Sequence, residues 1–211
     1  MIKINFSQLG WVVAVGLAAV MVSSGFQAPT DKFAVADLQK IVESSDFYKS
    51  NETTYNAYVQ KRKDLIDYLN QYPVITSDQV TRMKDLSLKE DVTSQEKAEL
   101  ERIKADAKEQ DARNKELVIK ANPTPEERTL LQEFARRNAT MGDLLSKMNQ
   151  DFVNDIQAKK EQIMATALDK AREAVKRTGK AQGYTVIYST AAAVYAANDL
   201  TDDAIKAMNA K

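Results

Sequence analysis

Two short apolar segments stand at opposite ends of a long charged stretch whose hydrophobic residues recur at helical spacing. The first, Lys32-Phe33-Ala34-Val35-Ala36, runs straight into Asp37-Leu38-Gln39-Lys40-Ile41-Val42. The second, Gly183-Tyr184-Thr185-Val186-Ile187-Tyr188, is followed by Ala193-Val194-Tyr195-Ala196 and Asp199-Leu200-Thr201-Asp202. Residues 43 to 182 carry almost no strand signal. Strands do not stand alone in water, so the two ends are expected to meet and pair. The middle must then leave the strands and return to them as a helical hairpin.

The pattern predicts one helix from Asp37 to Tyr72-Pro73, where the residue before proline is pushed out of the helical region. Its seam is Leu38, Ile41, Ser45, Tyr48, Glu52, Tyr55, Val59, Arg62, Ile66 and Leu69. These steps alternate three and four, so one stripe faces a partner helix. Ser45, Glu52 and Arg62 make the seam imperfect. Thr76 is expected to cap a short helix, with Gln79 at its third position. Thr93 and Glu96 form the capping box of a helix over about 94–121. Large apolar residues are sparse there, with Leu100, Ile103, Ala107, Asn114, Leu117 and Ala121 as the seam, so packing should be loose.

Asn122-Pro123-Thr124-Pro125-Glu126-Glu127 is the sharpest punctuation in the chain. Thr124 is the expected cap, Pro125 the first helical residue, and Glu127 closes the box. A return helix follows to about Lys180, with one glycine, Gly142, in its interior. Its stripe from Leu130 to Ala174 passes through Phe134, Met141, Met148, Phe152, Ile163 and Ala167 at a period of about 3.67, which favours nearly straight packing. The outgoing seam prefers 3.5, so flexing is expected where the two disagree. Tyr184–Tyr188 and Ala193–Ala196 read as two strands, and Thr201 as the cap of a last helix over Asp202–Asn209.

The first 25 residues read as an export signal. Lys3 gives a thin positive start, Leu9 to Val22 an apolar run, and Ser23, Ser24 and Gly25 a small-residue stretch that suits cleavage after Ser24 or Gly25. The run is short for a bilayer span. An uncleaved N-terminal anchor is the alternative.

Composition then narrows the function. The chain has no Cys and no His, which removes most nucleophile–base pairs and common zinc sites. Its carboxylates are interleaved with Lys and Arg, as on solvated helix faces. An enzyme, a cofactor and a metal are therefore not expected. Gly (6) and Pro (4) are scarce and 28% of residues are charged, a composition of long exposed helices. The 30 basic and 30 acidic residues balance, and loss of Lys3 with the signal leaves a single excess negative charge. No global field draws in nucleic acid or an acidic membrane. Local basic clusters at Lys61-Arg62-Lys63, Arg136-Arg137, Lys159-Lys160 and Arg172 with Lys176-Arg177 read as solvated helix faces.

The start, Lys32 through Ser44, resembles the N-terminal motif of the Skp/OmpH-like periplasmic chaperones. The end resembles that family's C-terminal motif more closely: Gly183-Tyr184, Val186-Ile187, Val194-Tyr195, Asp199-Leu200-Thr201-Asp202-Asp203-Ala204-Ile205 and Met208-Asn209. The motifs cover about a quarter of the chain; the rest matches in architecture only. The resemblance implies a mainly α fold with a small β body. A long antiparallel helical hairpin, a coiled-coil tentacle, would project from a few short strands, and three chains would assemble. It also implies an ATP-independent periplasmic holdase that keeps unfolded outer-membrane proteins in a cavity between helical arms, with only transient membrane contact. The family's better-known members are strongly basic and this chain is not, so electrostatic capture of clients is not carried over.

On this reading the chain divides into a signal peptide (1–25), an oligomerisation body (32–42 and 183–211) and a tentacle (43–182). The Pro-interrupted tip region, 73–125, is an added helical pair or an elaborated tip. Phe33, Val35, Val186, Ile187, Val194 and Tyr195 are expected in the trimer body. Met141, Met148, Phe152 and Met164 line the client cavity or form plain interhelical core. The tyrosines at 48, 55, 58, 68 and 72 grip clients or, more usually at helical spacing, pack between helices. Two other functions stay open: a structural coiled-coil protein of the envelope tethered by the uncut Leu9–Val22 segment, and a carboxylate enzyme, which would need a defined pocket.

Overall fold

The structure, a computed structural model, describes residues 32–193 and 196–210. In chain order the elements are β1 (Phe33–Ala36), α1 (Leu38–Ser44), α2 (Asp46–Gln71), α3 (Ser77–Leu88), α4 (Ser94–Val118), α5 (Pro125–Ala181), β2 (Val186–Ser189) and α6 (Thr201–Asn209). The two ends of the chain meet. β1 and β2 form a parallel ladder with Phe33 opposite Val186, Ala34 opposite Ile187, Val35 opposite Tyr188 and Ala36 opposite Ser189. Parallel strands need a long crossover, and here the crossover is the whole set of helices from α1 to α5.

The expected single helix from Asp37 is two helices. Asp37 caps α1, accepting from the Lys40 N–H, and the chain breaks at Ser45. Ser45 is fully buried; its hydroxyl donates to Val42 O at 2.7 Å and accepts from the Tyr48 N–H at 3.1 Å. That local bonding offers the backbone an alternative to continuing the helix, and it starts α2 on a new axis. The break lets α1 turn onto the alanine face of α5, where Ile41 and Val42 pack against Ala167, Ala171, Ala174 and Val175.

The three caps at Thr76, Thr93 and Thr124 all form, each with the cap residue's own N–H donating back to the side-chain oxygen of Gln79, Glu96 or Glu127. Pro125 opens α5, a helix of 57 residues and therefore roughly 85 Å long. Residues 73 to 125 hold the two helices α3 and α4. α2 runs outward, α3 returns, α4 runs outward again and α5 comes back, in up-down-up-down order. Cross-links show the order: Lys61 to Lys89 O, Arg82 to Glu99, Tyr68 to Lys104 O, and Arg137 to Gln110. The four helices enclose Leu65, Leu69, Ile75, Val80, Met83, Ala107, Met141, Met148 and Phe152.

The chain end differs from expectation in three places. The second strand begins at Val186 rather than Tyr184. Ala193 and Ala196 lie outside any strand; Asp199 instead bridges Val35, with Val35 N donating to Asn198 O and Leu200 N donating to Val35 O. Thr201 is the first residue of α6 and not its cap. Its hydroxyl accepts from the Asp37 N–H at 2.9 Å and donates to Asp199 Oδ1, so it ties the two chain ends together. Val194 and Tyr195 lie outside the described residues, as does the export signal.

Candidate assembly body and helical arm

Alternation along the two strands sorts the body's side chains. Ala34, Ala36, Ile187 and Ser189 share the face turned toward α5. There Gly179 leaves room for Ile187, because a Cβ at that position would run into the Ile187 Cδ1. Phe33, Val35, Val186 and Tyr188 share the other face. The Phe33 and Tyr188 rings stack with centroids 6.3 Å apart and planes 28° from parallel. Phe33 is 48% exposed, Tyr188 46% and Val186 37%. Phe33, Val186 and Tyr188 together make an exposed apolar patch on this face.

The edges of this sheet are unequal. β1 is flanked on one side by β2 and on the other by Asn198–Leu200. Among the described residues nothing pairs with the outer edge of β2. Beside that edge lies a groove of about 550 Å³ with Leu38, Val175 and Ile187 in its floor and Arg172, Lys176 and Lys180 along its rim. A bare apolar edge is a template for pairing with another chain.

Charged groups fasten the body from outside. Lys40 meets Asp202 at 3.0 Å, and that hydrogen bond holds the Lys40 ammonium above its usual range. The bonds from Thr201 hold the Asp199 carboxyl below the usual carboxylate range. Gln182 and Lys206 do the same for Asp203. These contacts bind α6 to α1 and to the end of α5. They do not assemble a reaction centre.

In the arm, Met141, Met148 and Phe152 are buried in the core of the four-helix section. Met164 packs, half-buried, against the body core. The structure thus uses the first three as interhelical packing within one chain. Of the tyrosines, Tyr68 and Tyr72 pack on the distal core, with ring centroids 4.8 Å apart. The Tyr68 hydroxyl donates to Lys104 O at 2.6 Å, and burial pushes its proton affinity up, to about 12. Tyr48 and Tyr55 line a cleft of about 130 Å³ between α2 and α5, together with Asn51, Lys160, Ile163 and Met164.

That cleft marks a lapse in the seam. No side chain is buried from Asp46 to Lys61 on α2 or from Val153 to Thr166 on α5. The distal core and the body core share no residue. A neck of two helices joins them. Its polar positions Asn51, Glu52 and Asn56 bury too little apolar area to lock it.

Two of the basic clusters are not simple solvated faces. Arg62 is buried at the distal end of the neck. Arg137 bridges Glu133, Gln110 and Val74 O, joining α5 to α4 and to the α2–α3 turn. Arg172 and Lys176 pair along α5 with Asp169 and Glu173, while Arg177 Nη2 donates to Ala207 O of α6 at 2.9 Å. Sequence spacing places Arg62 on the seam but gives no sign of its surroundings. That the outer edge of β2 has no partner among the described residues is likewise invisible in the sequence, because it depends on which strand Asn198–Leu200 covers.

Among the described residues no cluster of Asp and Glu is arranged to hold a metal ion, and no helix is long and apolar enough to cross a membrane. The grooves are open and lined by mixed side chains. No curated protein and no solved structure matches the chain. A family model described as "Outer membrane protein (OmpH-like)" matches residues 32–208. Its span begins at β1 and ends inside α6, so it takes in the paired strands and the whole arm. That family is one of periplasmic chaperones for outer-membrane proteins. The chain belongs to the OmpH-like outer membrane protein family.

Proposed function

We propose that this protein is an exported, ATP-independent holdase that assembles as a trimer and keeps unfolded outer-membrane proteins from aggregating. Residues 1–25 would be removed on export. Residues 32–42 and 183–211 would form the assembly body, and residues 43–182 the arm. The observation that carries the reading is the body's exposed apolar face, Phe33, Val186 and Tyr188, beside the outer edge of β2, which has no partner among the described residues. A two-stranded sheet is at best marginal alone, and further strands from other copies would complete it.

The unequal edges support a ring. One edge of the sheet is taken by the chain's own Asn198–Leu200, so a second copy meeting β2 must present a different surface. Such head-to-tail contacts generate closed rings when the rotation closes. Arms of up to roughly 85 Å rising from one ring would enclose a shared space. Clients would be held by many weak contacts on the arm surfaces. Met141, Met148 and Phe152 would join those contacts only where the helices part, while Met164 stands at the neck cleft. Phe33, Val35, Val186, Ile187, Val194 and Tyr195 would serve assembly.

Diluting a denatured β-barrel membrane protein from urea, with and without the mature protein and with no nucleotide present, tests the function. Suppressed light scattering is expected. Unchanged aggregation at a roughly threefold molar excess of chains would contradict the holdase reading.

A further inference from the structure

Arg62 stands where the neck meets the distal core, and it is poorly satisfied. Its side chain is 9% exposed. Nη1 donates to Tyr58 O at 3.2 Å, and Nη2 reaches Asp155 Oδ2 only at 3.5 Å. The Asp155 side chain is itself 52% exposed, so the pairing is loose and largely solvated. Nε is buried with no hydrogen-bond partner. The guanidinium lies 3.3 Å from the Tyr58 ring centroid and 5.4 Å from that of Phe152. Those aromatic faces offset part of its desolvation. They do not replace the missing acceptors, since arginine carries five donors and a buried donor without a partner is costly. Neighbouring seam positions are apolar: Leu65, Ile66 and Leu69 follow on the distal side.

We propose that Arg62 is a built-in weak latch between α2 and α5. When the two helices separate, water solvates the guanidinium and the unmet Nε finds a partner. Opening at this point therefore costs less than it would with an apolar residue in the seam. The neck, which holds no buried side chain of its own, parts up to Arg62. It stops where Leu65 and Leu69 begin. Opening exposes more of the Tyr58 ring, which is half-buried in the closed arm, and uncovers the side of the Phe152 ring that faces Arg62, while the rest of Phe152 stays in the distal core. Under the holdase reading these rings become an apolar contact for an entering chain, and only that use rests on the holdase reading.

Hydrogen exchange on the free full-length protein tests the latch without any client. Arg62→Met removes the buried charge and fills the seam. It is expected to slow exchange of the amides near Tyr58 and near Asp155 by about tenfold, as replacing a buried, poorly paired charge with a packed apolar group does. Arg62→Lys keeps a charge but loses the planar fork, and its neck is expected to exchange at least as fast as the wild type. Unchanged or faster exchange in Arg62→Met overturns the proposal. So does loss of protection around Leu69 and Met141 in that variant, because it would mean that Arg62 holds the section together. A wild-type protein that fails to protect clients would count against the function and leave the exchange result standing.

Discussion

Phe33 and Val186, at opposite ends of the chain, are Cα partners in one parallel ladder and lie on its solvent-facing side. The pairing closes the whole helical excursion into a single crossover. It also sets what a charge at this place would do. Val186 is 37% exposed in the single chain, so Val186→Asp leaves the chain's own core untouched. In an assembly that covers this face, the same carboxylate would be buried without a partner, which costs several kcal/mol, on the order of the charge-burial penalties seen in cores. Sedimentation of Val186→Asp is expected to show single chains with unchanged helical circular dichroism. A variant that still sediments like the wild-type oligomer would remove β2 from the contact.

Phe152 behaves in the opposite way. Its ring is 3% exposed and packs in the distal core, so Phe152→Ala is expected to cost about 3–5 kcal/mol of stability. Urea unfolding of the variant measures this directly. A residue serving only clients would leave the unfolding midpoint where it was.

Much of this architecture is legible in the residues, and the failures have physical causes. Thr76, Thr93 and Thr124 are followed three positions later by Gln79, Glu96 and Glu127, and local capping chemistry of this kind needs no tertiary information. The pairing of the two ends follows from apolar segments that could not otherwise be covered. Ser45 reads as a polar seam position because its spacing fits the heptad; only burial against α5 makes the break worthwhile. Ala193 and Ala196 belong to a stretch that looks like a strand, but neither is in one, and Asn198–Leu200 takes the place beside β1. Thr201 looks like a cap, yet its hydroxyl is occupied by Asp37 and Asp199. Periodicity places Met148 and Arg62 on inward faces alike, and it does not say which of them finds partners.

The end of α5 turns on one glycine. Gly183 has φ +74°, with Tyr184 N donating to Gly179 O at 2.9 Å and Gly183 N to Lys180 O at 3.3 Å, the paired bonds of a Schellman cap. Gly183→Ala is expected to lose about 1–2 kcal/mol, because a Cβ disfavours the left-handed region. Gly142 sits inside α5 with no neighbouring atom within 4 Å of the place an added methyl would take, so Gly142→Ala is expected to gain about 0.5–1 kcal/mol. Thermal melts of the two variants should therefore move in opposite directions.

The distal section should weaken toward both ends of the pH scale. The folded Tyr68 phenol holds its proton to about 12, against an ordinary value of 10.0, so its contribution is complete below pH 10 and is lost as pH rises toward 12. Glu133 runs the other way. Hydrogen bonds from Arg136 and Arg137 lower its pKa from 4.5 to about 2, so its contribution is complete above 4.5 and is lost as pH falls toward 2. Urea midpoints from about pH 9 to 12 should fall less steeply for Tyr68→Phe than for the wild type. Those from about pH 5 down to 2 should fall less steeply for Glu133→Gln. Parallel slopes in either comparison would mean that the group titrates alike in the folded and unfolded chains.

The most direct test is the mass of the complex formed when one unfolded β-barrel membrane protein is diluted into the mature protein, measured by light scattering on a sizing column. Three chains carrying one client, in a single soluble peak, is the expected result. A client that aggregates or elutes alone, beside a protein running at the mass of one chain, would contradict both the assembly and the holding of clients.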